Sequence, residues 1–95
     1  MKPSEVNPRN FQVKYILFEI PDFSIAYGNW NQTENCLAMR WNGNENESGY
    51  PKTFGHPVWF IIPKEMTFVL AKSLLDFEDT DKQLVLNLLN ELIKL

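Results

Sequence analysis

One cysteine, one histidine and four glycines in 95 residues leave this chain short of the parts from which many small functional sites are built. With Cys36 alone, no disulfide can form within the chain and no cysteine-based zinc site can be assembled from it. Within Asn35-Cys36-Leu37-Ala38 the thiol reads as a small buried apolar residue. His56 is the single histidine, and no nucleophile or carboxylate stands at a spacing that demands a catalytic arrangement with it. Between Gly55 and Pro57 it reads as a turn position leading into a strand. No apolar run is long enough to span a bilayer, and the first ten residues lack the apolar centre of a secretory signal. A cytoplasmic protein with no membrane partner is the expectation. The acidic run Asp76-Phe77-Glu78-Asp79-Thr80-Asp81 lacks the glycine and terminal glutamate of a calcium loop and reads as helix capping. No catalytic residue, metal or cofactor is expected.

Basic excess is missing too. The net charge is −3, with five Lys/Arg and six Asp/Glu in residues 1–63 and four and six in residues 64–95. Phosphate neutralisation supplies most non-specific nucleic-acid affinity, so this balance does not favour a nucleic-acid partner.

What the chain does have is aromatics, and they are unevenly placed: 11 of 13 precede residue 64, and the remainder is rich in Leu, Lys, Asp and Glu. The expected fold is α+β, an antiparallel sheet of about four strands followed by two C-terminal helices packed on one face. Residues 1–10, with Pro3 and Pro8, read as a flexible N-terminal arm, and 11–95 as a single domain. Strands are expected over Phe11 to Ile20, Phe23 to Trp30, Cys36 to Trp41 and Val58 to Ile62. In the third, alternation puts Leu37, Met39 and Trp41 on one face and Cys36, Ala38 and Arg40 on the other. A first helix is expected from about Lys64 to Phe77, its inner face carrying Met66, Val69, Leu70, Ser73, Leu74 and Phe77. A second starts at Thr80, which with Gln83 fits a capping box.

That second helix is apolar on more than one side. Leu84, Val85, Leu88, Leu89, Leu92 and Leu95 form a broad face, and Leu86 and Ile93 lie on another. Surplus apolar surface on a helix points to a partner, and a second copy of the chain is the simplest one. Leu86, Leu89 and Ile93 are the interface candidates for a homo-oligomer. The alternative is that sheet and first helix wrap the second helix fully.

The polar stretch from Asn42 to His56 is long for a connection between strands, and such loops often bind. Arg40, Trp41, Tyr50, Lys52, His56 and Trp59 lie in or beside it and form the candidate ligand-binding set. Cations beside aromatic faces suit an anionic planar ligand. The competing reading buries Trp41 and Trp59, pairs Arg40 with Glu19 or Glu34, and leaves Lys52 and His56 as solvated loop residues.

The run Cys36-Leu37-Ala38-Met39-Arg40-Trp41-Asn42-Gly43, then Gly49-Tyr50-Pro51, then Pro57-Val58-Trp59-Phe60-Ile61-Ile62-Pro63, resembles small uncharacterised bacterial proteins. Some similar proteins travel as mobile integron gene cassettes. The resemblance implies no activity, but it marks Arg40, Trp41, Asn42, Gly49, Tyr50, Pro51, Trp59 and Pro63 as positions whose roles need explaining. In order of elements, and in a strand that carries Trp-Asn, the chain is also similar to single-stranded-DNA-binding proteins of the positive-cofactor-four type. Those dimerise through their helix, and this chain departs from them in its acidic balance and its second helix. The leading expectation is a non-enzymatic interaction module that forms a homo-oligomer and has a possible further protein partner. The alternatives are a single-stranded nucleic-acid-binding protein, and a small-molecule binder or small enzyme using the 42–56 loop.

Overall fold

The computed structural model describes residues 1–93. Three long strands, β1 (Phe11–Glu19), β2 (Phe23–Trp30) and β3 (Glu34–Trp41), form an antiparallel meander. A small hairpin follows, β4 (Lys52–Thr53) and β5 (His56–Pro57), and then β6 (Phe60–Ile61), which pairs with β3. The main sheet therefore has four strands in the order β1-β2-β3-β6. Helices α1 (Thr67–Ser73) and α2 (Lys82–Ile93) complete the α+β fold.

The period of two along the strands sorts side chains between two apolar layers. On one face Leu17, Ile25, Tyr27, Leu37 and Ile62 meet Ala71, Leu74, Val85 and Leu88 of the helical layer. On the other, Phe11, Ala26, Cys36 and Ala38 are covered by Val6 and Trp59. Burying each of the larger of these side chains contributes about 1.5–3 kcal/mol. At Gly28, in the middle of β2, the backbone carbonyl of Gln12 and the ring of Phe11 stand where a Cβ would go. Only glycine lets β1 and β2 approach so closely.

The first ten residues, expected as a flexible arm, are packed against the second layer. Val6 is buried, its carbonyl accepts a 2.6 Å hydrogen bond from the indole Nε1 of Trp59, and Asn7 Oδ1 accepts the Val13 N–H. The segment supplies the lid that the sheet's second face needs, since a sheet apolar on both faces must be covered twice.

The outer edge of β1 is protected by two register shifts and by contacts at both ends. Besides the Asn7 contact, the Asp81 N–H donates to Leu17 O at 2.7 Å. These devices deny a neighbouring strand a straight edge to pair with.

The helical half differs from the sequence expectation in detail. The first helix is α-helical only over Thr67–Ser73, with 3-10 turns at Lys64–Met66 and Leu74–Asp76. Ser73 Oγ donates to Leu70 O, an alternative to the helical ladder that favours termination here. The inner face is Thr67, Leu70, Ala71 and Leu74, so Met66, Val69 and Phe77, expected inside, are exposed. In the second helix the cap is Asp81, whose Oδ1 accepts the Leu84 N–H at 3.2 Å. Thr80 is displaced one residue outward and donates instead to Leu74 O, tying the two helices together. Val85 and Leu88 are buried, with Leu84, Leu89 and Leu92 packed beside them. Leu86 and Ile93 face solvent, and Leu95 lies outside the described residues.

Candidate functional site

Arg40 closes the end of β3 on the face opposite the helices, and it is 1% exposed. Among the described residues no carboxylate pairs with it; Glu34, one of its two expected partners, pairs instead with Lys64 at 3.3 Å. The guanidinium donates from Nη1 to Val58 O at 2.5 Å and from Nη2 to Ser48 O, while Nε has no partner. Burial disfavours its charged form and lowers its pKa, but guanidinium basicity is high enough to keep the charge. One rigid fork thus fixes both ends of the 48–58 segment to the sheet.

Asn42 anchors the start of that segment. It is buried, its Oδ1 accepts the Ser24 hydroxyl at 2.8 Å, and its Nδ2 donates to Ile20 O at 3.0 Å, so loop and β1–β2 turn are joined. Gly49, at φ +84°, lies against the Trp41 carbonyl and Arg40 Nη2, where no side chain would fit. Tyr50 then exchanges two backbone hydrogen bonds with Trp41, of 2.7 and 3.0 Å, and the Tyr50–Pro51 peptide bond is cis. The stretch read from sequence as a long polar connection is a built platform, and the motif positions Arg40, Asn42 and Gly49 are its supports.

From this platform projects the β4–β5 hairpin. Its two-residue turn, Phe54-Gly55, has φ of +51° and +81°, as the primed turns of tight hairpins require. Phe54 is 98% exposed, and Tyr50 at the root is 65% exposed. Lys52 and His56 are exposed along the strands, and no carboxylate occurs between Tyr50 and Phe60. The element is a projection with a phenyl ring at its tip and the charge of Lys52 behind it.

A second feature lies on the helix side of the sheet, at the end where β1 turns into β2. There a slot of about 370 Å³ is lined only by apolar side chains, with Ile25 at its base. One wall is Phe18 edge-on to Phe77, with centroids 5.9 Å apart; the other is Phe23 edge-on to Trp41, at 4.9 Å. Trp41 is 55% and Phe77 53% exposed. Glu19, Asp22, Asp76, Glu78 and Asp79 flank these residues in the chain and are all exposed.

The structure divides the candidate set read from sequence. Tyr50, Lys52 and His56 share the hairpin, whereas Arg40 and Trp59 are buried beneath it and Trp41 lies across the sheet in the slot. Of the interface candidates, Leu86 and Ile93 are exposed, but Leu89 is packed against the core because it faces the same side as Val85 and Leu88. Among the described residues no three metal-ligating side chains gather, and no helix is long and apolar enough to cross a membrane. Phe54 escaped the sequence reading, although Phe-Gly between Lys52-Thr53 and His56-Pro57 has the form of a two-residue hairpin loop. The slot escaped it because its walls come from β1, β2, β3 and the helical layer. No family model, curated protein or solved structure matches this chain.

Proposed function

We propose that this chain is a non-enzymatic interaction module that associates with itself and uses the 50–57 hairpin as its contact element. The observation that carries this reading is the state of Phe54. A bulky residue in the left-handed region costs about 1–2 kcal/mol relative to its ordinary conformations, and Asn or Asp serves better at that turn position. Leaving a phenyl ring 98% exposed forgoes a further ~1.5–3 kcal/mol of burial. Neither cost is returned within the monomer; entry of the ring into an apolar pocket on a partner returns the second and thereby offsets the first. Aromatic side chains on rigid supports are the usual anchors of protein interfaces.

The buried Arg40 clamp supports the same reading. It holds the hairpin in one orientation, which lowers the ordering cost of association. The nucleic-acid alternative retains Tyr50, Lys52 and His56 at the surface but has lost Arg40 and Trp59 to the interior. The small-enzyme alternative rests on His56, which no hydrogen bond or ion pair orients among the described residues.

Sedimentation equilibrium of the wild-type chain and of Phe54→Asn tests the proposal. The wild type is expected to self-associate with rising concentration, and the variant to remain monomeric. Wild-type chains that stay monomeric up to about 1 mM, the weak limit of specific association, would refute it.

A further inference from the structure

We infer that the aromatic slot walled by Phe18, Phe23, Trp41 and Phe77 is the receptor for Phe54 of a second copy of this chain, an inference that rests on the hairpin being the contact element. The slot and the tip match in size. A closed cavity of about 150 Å³ holds benzene, so an open slot of about 370 Å³ admits a phenyl ring with room for the turn backbone behind it. They match in chemistry as well. The slot offers two edge-to-face aromatic pairs and no polar atom to leave unpaired, and an added ring extends that arrangement.

Charge selects the occupant. Four exposed carboxylates, Asp22, Asp76, Glu78 and Asp79, stand within two positions of the slot residues Phe23 and Phe77 in the chain, whereas Glu19 faces the N-terminal segment. The hairpin carries Lys52 and no carboxylate, so its charge is opposite in sign to that of the acidic residues next to Phe23 and Phe77. The chain's own slot does not hold its own Phe54, which is 98% exposed on a hairpin clamped to the opposite face by Arg40. Tip and slot are different surfaces, so the contact is heterologous: each copy has one of each to offer.

That asymmetry supplies the test. Phe54→Asn removes the tip and keeps the slot, whereas Phe77→Lys, at an exposed position outside any helix or strand, blocks the slot and keeps the tip. Trp41→Thr is a second slot variant, and the melting transition of each variant establishes that it is folded. Each variant alone is expected to self-associate at least about 30-fold more weakly than wild type, the effect of losing an interface anchor. An equimolar mixture of Phe54→Asn with Phe77→Lys is expected to form a one-to-one pair, seen in native mass spectra and as a change in Trp41 fluorescence. If both slot variants associate as the wild type does while Phe54→Asn does not, the receptor lies elsewhere: this inference falls and the hairpin reading stands. If the wild type never associates, both fall. An apolar small molecule retained by the monomer and lost in Phe77→Lys would place a ligand in the slot and overturn the inference.

Discussion

Arg40 carries its charge to a place 1% exposed where, among the described residues, no carboxylate pairs with it, so its worth lies in the backbone carbonyls it satisfies. Replacing it with methionine keeps most of the volume and strands Val58 O and Ser48 O. Each unsatisfied buried acceptor costs about 1–3 kcal/mol, so Arg40→Met should lower the unfolding free energy by about 2–4 kcal/mol in a denaturant titration. Arg40→Lys should recover only part of it, because a point donor does not reproduce the fork. Unchanged midpoints would show that the clamp is not structural. Cys36 gives a prediction in pH. Burial, aided by the nearby Glu34 charge, pushes its thiol from an ordinary 9.0 up to about 11. The folded state keeps the proton that the unfolded chain releases, so this share of stability is full below pH 9 and is lost as pH rises toward about 11. The melting temperature of wild type should therefore fall more steeply across that window than that of Cys36→Ala, and parallel curves would contradict the assignment. Burial of the Tyr27 hydroxyl raises its pKa in the same direction, and Tyr27 is present in both proteins being compared.

At the scale of elements, the N-terminal segment is held by the Trp59 indole on Val6 O, by the Met1 ammonium on Asn42 O and by Asn7 on the Val13 N–H, together with burial of Pro3 and Val6. Trp59→Phe should cost about 1–2 kcal/mol and speed amide exchange in the first ten residues before the rest of the chain. Uniform loss of protection would mean that the segment is not a separate unit. Asp81→Ala should cost about 1 kcal/mol through the lost cap of α2, measured by thermal melting. The long strands and the buried stripe of α2 were legible in the sequence, because periodic apolar patterns report which face is buried. The cap was misplaced by one residue, since Thr80 and Asp81 both satisfy the local rule and only the tertiary bond from Thr80 to Leu74 O separates them. The N-terminal segment was misread because Pro3 and Val6 carry no periodicity; among the groups that hold the segment is Trp59, more than fifty positions away. Arg40 and Trp59 were read as ligand-binding candidates and lie buried, because residue type alone does not distinguish a clamp from a binding group.

In the whole molecule, sequence order keeps apart the projecting hairpin and the aromatic slot. Lys52→Glu should weaken self-association at low salt and have less effect at high salt, since it reverses a rim charge and leaves the aromatic anchor in place. Equal loss at all salt concentrations would contradict the assigned charge pairing. The central claim is that Phe54 is kept at its turn at the monomer's expense for the sake of contact. Its most direct test is Phe54→Asn followed in parallel by chemical denaturation of the monomer and by sedimentation. Asn-Gly is the preferred pair for this turn, so the account predicts a variant more stable by about 0.5–1 kcal/mol that no longer self-associates. A variant that is less stable, or that associates as the wild type does, would contradict it.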